Sequence, residues 1–126
     1  MNQSHQGIVL FAHGSRDPLW HKPMEAVAHA MRQAAPHVPV VCAYLELSSP
    51  DLPTACQSLL QAGVTEVKVV PMFLGVGKHA REDLPVLMNA LRQQHPGVQF
   101  NLQRAVGEEP QVVHLLAKIA LERSPD

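Results

Sequence analysis

Nothing in these 126 residues approaches the ~18 consecutive apolar positions of a membrane-spanning helix. The formal net charge of −1 offers no global attraction to nucleic acid or to an anionic membrane, so neither is expected as a partner. The opening MNQSHQG has neither the basic nor the apolar region of a secretory signal, and a cytoplasmic protein is expected. Cysteine is scarce: Cys42 and Cys56 show no metal-finger spacing and read as small apolar fillers in a reducing compartment. There is no Gly-rich loop ending in Lys-Ser or Lys-Thr to cradle a nucleotide, and no Gly-x-Ser-x-Gly elbow of an α/β-hydrolase. What remains is an ordinary globular composition, 46% apolar and 17% charged, of a length that suits one domain over 1–126.

Along that length, apolar runs alternate with stretches of helical period. Ile8 to Ala12 is continuously apolar, as a strand covered on both faces must be. After Pro18, the positions Trp20, Met24, Val27, Met31 and Ala34 form one helical stripe, which Pro36 and Pro39 end. Val38 to Leu47 reads as a second strand. Ser49 then offers an N-cap with Pro50 at the first helical position, and Leu52, Ala55, Cys56, Leu59 and Leu60 form the buried face. Gly63 is placed to end that helix in a left-handed conformation. Val67 to Pro71 gives a third strand, and a helix from Glu82 carries Leu84, Leu87, Met88 and Leu91. Val98, Phe100 and Leu102 alternate with polar residues, which predicts an edge strand. A last helix after Pro110 carries Val112, Leu115, Leu116 and Ile119. The expectation is an α/β fold in three layers: a four-stranded parallel sheet, order 2-1-3-4, with helices on both faces.

In that order strands one and three are neighbours, and the chain direction reverses between them. This opens the crevice where such sheets bind ligands. His13 closes the first strand run in GIVLFAHGSRDP (7–18), and His79 follows the third in VKVVPMFLGVGKHAREDLP (67–85), so both are expected at that crevice. Neutral imidazoles suit borderline divalent metals, and two without cysteine leave an open site for an ion in transit or in catalysis. Glu46, near the end of strand two, is either a solvated strand end or a base in a poorly hydrated cleft. Glu82 and Asp83 read first as favourable charges at a helix start. Arg16, Lys78 and Arg81 flank the two histidines, with His21 and Lys22 farther off, and equip the crevice for an anionic ligand. His5, His13, His21, His29 and His37 recur every eight residues, about 80° per step on a helix, so they share no face. Met72 to Gly77 is too apolar for an ordinary loop and is expected to be covered by a flat ligand or a second subunit.

The blocks AHGSRDP (12–18), AYLEL (43–47) and VVPMFLGVGKHAREDLP (69–85) together resemble the small sirohydrochlorin chelatases, class II enzymes that insert cobalt or iron into a tetrapyrrole. The resemblance implies a chelatase-like α/β fold and His13 and His79 as metal-binding residues. It implies Glu46 in metal or proton handling, with Glu82 a weaker candidate. It also implies Arg16, Lys78 and Arg81 on the substrate carboxylates, and a short form that works as a homodimer. A divalent metal enters as substrate, Co²⁺ ahead of Fe²⁺ or Ni²⁺, in cobalamin or siroheme synthesis, with no nucleotide or redox cofactor. Two other readings stay open. One is a metal or tetrapyrrole carrier that binds without inserting. The other is a phosphohydrolase with His13 as nucleophile, although Ala12 stands where that class has an arginine.

Overall fold

The computed structural model describes residues 5–123. Four strands, β1 (Gln6–Ala12), β2 (Val40–Tyr44), β3 (Glu66–Pro71) and β4 (Gln99–Leu102), form one parallel sheet in the order β2-β1-β3-β4. Helices α1 (Lys22–Ala34), α2 (Leu52–Gln61), α3 (Lys78–Gln94) and α4 (Pro110–Leu121) follow the strands in turn. The expected architecture and strand order are present.

Alternation along the strands sends side chains to two cores. Val9, Phe11, Val67, Val69 and Phe100 pack with Leu52, Cys56, Leu84 and Met88 of α2 and α3. Leu10, Ala12, Val40, Cys42, Tyr44 and Val70 pack with Met24 and Ala28 of α1 on the opposite face. The two thiols are free and buried in different cores, and burial raises both, Cys56 to about 11. β4 is the edge, with Phe100 buried between exposed Gln99 and Asn101.

The element boundaries differ from the expected ones in ways that have physical causes. The first helical stripe opens with a 3-10 turn, Pro18–His21, so α1 starts out of phase with it: Trp20 and Val27 are exposed and Ala28 is buried. β2 is shorter at both ends than the apolar run. After Tyr44 the chain leaves the sheet, and Leu47 turns to φ +64°. The N-cap of α2 is Asp51, not Ser49. Its carboxylate accepts from Thr54 N at 2.9 Å, and Pro53 rather than Pro50 occupies the first turn. Gly63 does adopt a left-handed φ of +93°.

Helix α3 begins at Lys78, four residues before the expected Glu82, behind Gly77, which has no side chain to mark the start. Lys78, His79 and Arg81 therefore lie in its first turn, and Glu82 and Asp83 lie beyond it, so neither acts as a terminal charge. The largest departure is α4. Its apolar stripe was expected to be buried, yet none of its residues is, and its chief neighbour is the 3-10 turn Val106–Glu108. No helix among the described residues is long and apolar enough to cross a membrane.

Candidate metal-handling site

At the carboxyl end of the sheet the strand ladder continues into the loops. Leu45 N donates to Ala12 O and Glu46 N to His13 O, each at 2.9 Å, while Met72 N donates to Phe11 O at 2.7 Å. These bonds carry the parallel pairing of β1 with β2 and β3 one step past the strands, so His13 and Glu46 leave the sheet side by side. Gly14 lies between the same two loops at φ +102°, and a methyl group there would overlap the carbonyl oxygen of Glu46. Only glycine permits that approach.

His13, Leu45, Glu46, His79 and Asp83 line one hollow of about 270 Å³. Two imidazoles from different strand ends thus share a cavity at the reversal of strand order, with two carboxylates beside them. The His13 ring lies against Phe73, centroids 4.4 Å apart and planes at 31°, which restricts its rotation. His79 and Asp83 are one turn apart on α3 and face the same way. Among the described residues no three His, Cys, Asp or Glu side chains stand together as a group that could hold an ion.

The remaining candidates divide. Arg16 is exposed in the loop after β1 and Lys78 is exposed at the start of α3, and neither lines the hollow of the two histidines. Arg81 lies on another flank of α3, where it lines a separate hollow of about 180 Å³ with Arg104 and Glu108. Glu82 is exposed and lines neither hollow, and its neighbour Asp83 faces the histidines instead. Asp83 joins the site because α3 starts at Lys78 and not at Glu82: that start puts it four residues after His79 on the same face. The loop after β3 needs less cover than its sequence suggests. Phe73 is buried over Phe11 and His13, Val76 packs on the core, and of its large residues Leu74 alone, 71% exposed, faces solvent. The chain itself covers that loop.

Beside the hollow, His21 stacks on Tyr44 at 4.9 Å and 23°, with Trp20 next to both. Burial pushes the Tyr44 phenol up to about 12, with Cys42 and Glu25 adding to the shift, so it stays neutral as a platform.

Comparison with known proteins places these features in context. The chain is 35% identical over 82 residues to the sirohydrochlorin cobaltochelatase of Methanothermobacter thermautotrophicus, covering 65% of this chain and 57% of that one. It is 27% identical over 111 residues to the sirohydrochlorin ferrochelatase of Bacillus subtilis, covering 86% of this chain and 41% of that one. Each match therefore spans only about half of the relative's length. The crystal structure of a cobalamin (vitamin B12) biosynthesis CbiX protein from Marinobacter aquaeolei VT8 superposes with a TM-score of 0.78 at 34% identity, over 94% of this chain and 99% of that one. The CbiX family model aligns with residues 7–123, the whole sheet and all four helices, and the chain belongs to the CbiX family.

Proposed function

We propose that the chain is a sirohydrochlorin chelatase that inserts a divalent metal into the tetrapyrrole, Co²⁺ in preference to Fe²⁺, in cobalamin or siroheme synthesis. The observation that carries the reading is the shared hollow of His13 and His79 with Glu46 and Asp83. Insertion of M²⁺ releases two pyrrole protons. The imidazoles displace water from the ion and keep it exchangeable, since two ligands do not close a coordination sphere. Glu46 and Asp83 supply two carboxylates for the two departing protons. The exposed Arg16 and Lys78, each close in sequence to one of the histidines, and Arg81 farther round α3 suit the carboxylates of the macrocycle. The buried free thiols suit a cytoplasmic setting.

A second copy of the chain is part of this proposal, seated on α4. That helix shows solvent an apolar stripe with Lys118 its only formal charge, and nothing among the described residues buries it. The match to the Bacillus relative spans 41% of that protein, and a second copy would supply comparable bulk.

The test is anaerobic insertion into sirohydrochlorin followed by absorbance, with Co²⁺, Fe²⁺ and Ni²⁺ in turn. Wild-type protein is expected to turn over repeatedly and fastest with Co²⁺. His13→Ala and His79→Ala are expected to lose turnover while keeping the melting temperature. Repeated turnover by both variants at the wild-type rate would remove the histidines from the mechanism. Stoichiometric binding without turnover by wild type would make the protein a carrier.

A further inference from the structure

The loops that carry His13 and Glu46 are tied together by a side chain as well as by their backbones. Ser48 Oγ donates to Ser15 O at 2.7 Å and accepts from Ser15 N at 3.0 Å, so one hydroxyl holds both polar groups of a single residue. His21 Nε2 lies 2.9 Å from the same oxygen. The proton assignment follows from counting hydrogens. A carbonyl oxygen only accepts, so the one hydroxyl proton goes to Ser15 O, and the lone pairs of Ser48 take Ser15 N–H and a proton on His21 Nε2. The neutral ring at His21 must therefore be the Nε2–H tautomer, and its stacking on Tyr44 fixes its direction.

This cluster closes a frame. His13 O is held by Glu46 N, Gly14 lies flat on the carbonyl of Glu46, and Ser15 is clasped by Ser48. Ser15 Oγ accepts from Asp17 N at 3.1 Å, and Asp17 in turn accepts from Leu19 N at 2.9 Å, which leads the chain round to His21. Leu47, between Glu46 and Ser48, is held at φ +64°, a conformation that side-chain-bearing residues rarely adopt.

We infer that Ser48 and His21 are positioning residues: the hydroxyl of Ser48, oriented by the Nε2–H of His21, sets the spacing between the His13 ligand and the Glu46 carboxylate. This rests on the roles proposed above for His13 and Glu46. Neither Ser48 nor His21 lines the hollow, so they act through the loops and not on the ion.

Removing a group hydrogen-bonded directly to a metal ligand costs about 10- to 100-fold in metal affinity or activity. Ser48 and His21 act one step farther out, through Ser15, which sets the lower end, about 10-fold, as the expected loss. Ser48→Ala and His21→Ala are expected to lose that much in kcat or in Co²⁺ affinity. Ser48→Thr, which keeps the hydroxyl, and His21→Gln, whose amide N–H can replace Nε2–H, are expected to recover most of it. A merely structural role would track the melting temperature of each variant and not the presence of the hydroxyl or the donor. Independently of activity, long-range ¹H–¹⁵N correlation spectra of the wild type are expected to show the Nε2–H form in the neutral His21 ring. That preference should weaken in Ser48→Ala. A Nδ1–H ring in the wild type, or Ser48→Ala with unchanged kcat and Co²⁺ affinity, overturns the inference. If wild-type protein proves unable to insert metal, the proposed activity fails, and the tautomer and the Co²⁺ titration still decide the clamp.

Discussion

Gly14 adopts φ +102° between His13 and Ser15, and a Cβ on it would meet the backbone of Glu46. Gly14→Ala therefore combines an unfavourable backbone region with a steric clash against main chain, which cannot rotate aside. Such strain costs on the order of 1–3 kcal/mol from the dihedral alone, before the overlap is relieved. The expected result is a loss of about 3 kcal/mol in urea unfolding, with insertion activity lost even where the variant is folded, because His13 and Glu46 must separate. An alanine variant with wild-type stability would mean that the loops do not lie in this arrangement. At this scale much of the site was legible. A histidine placed just past a continuous apolar strand run is at the open end of a parallel sheet almost by necessity, and Glu46 followed from the same logic. Asp83, Phe73 and Ser48 were not legible in that way, since each depends on where a neighbouring helix starts or how a loop folds back.

The helix starts show why. Helix α2 carries a true capping signal, but Ser49 has Pro50 directly after it and Asp51 has Pro53 two residues on, and composition alone does not choose between them. The structure uses Asp51, whose carboxylate receives the Thr54 N–H. Hydrogen bonds from Thr54 hold the Asp51 carboxyl below its ordinary value. A carboxyl depressed in the folded state stabilises fully above the unfolded value and loses that contribution as pH falls through the folded one. Asp51→Ala is expected to cost about 1 kcal/mol at neutral pH, the usual worth of such a cap. The gap to wild type should close in strong acid, whereas Asp51→Asn should stay near wild type at neutral pH. Chemical denaturation of the three proteins across pH checks this, and a gap that persists undiminished in acid would exclude the charged cap. Helix α3 had no comparable signal, because Gly77 caps without a side chain and Pro85 lies inside the helix. The sequence therefore does not mark its first turn, and the shared face of His79 and Asp83 emerges only from the structure.

For the whole molecule, α4 is the element whose role its own chain does not explain. Val112, Leu115, Leu116 and Ile119 fall at the spacing of a buried stripe, yet Leu115 is 55% exposed and Ile119 56%. Periodicity records that a helix face is apolar and says nothing of whose surface covers it, so this departure was not available from the sequence. The proposed partner, a second copy, makes the helix face self-complementary about a two-fold axis, and each substitution then enters the interface twice. A leucine taken fully from water contributes about 1.5–3 kcal/mol, and Leu115 has about half of its surface left to bury. Leu115→Glu, entering twice, should therefore weaken pairing by about 1.5–3 kcal/mol, on the order of 10- to 100-fold in affinity, before the cost of burying a carboxylate. Because the described residues bury no part of α4, Leu115→Glu should keep the circular dichroism spectrum and the melting behaviour of an isolated wild-type chain. Light scattering during gel filtration is expected to give the mass of two chains for wild type and of one for Leu115→Glu. A wild type that remains single at every concentration, or a variant that stays paired, would show that α4 is not the surface on which copies meet.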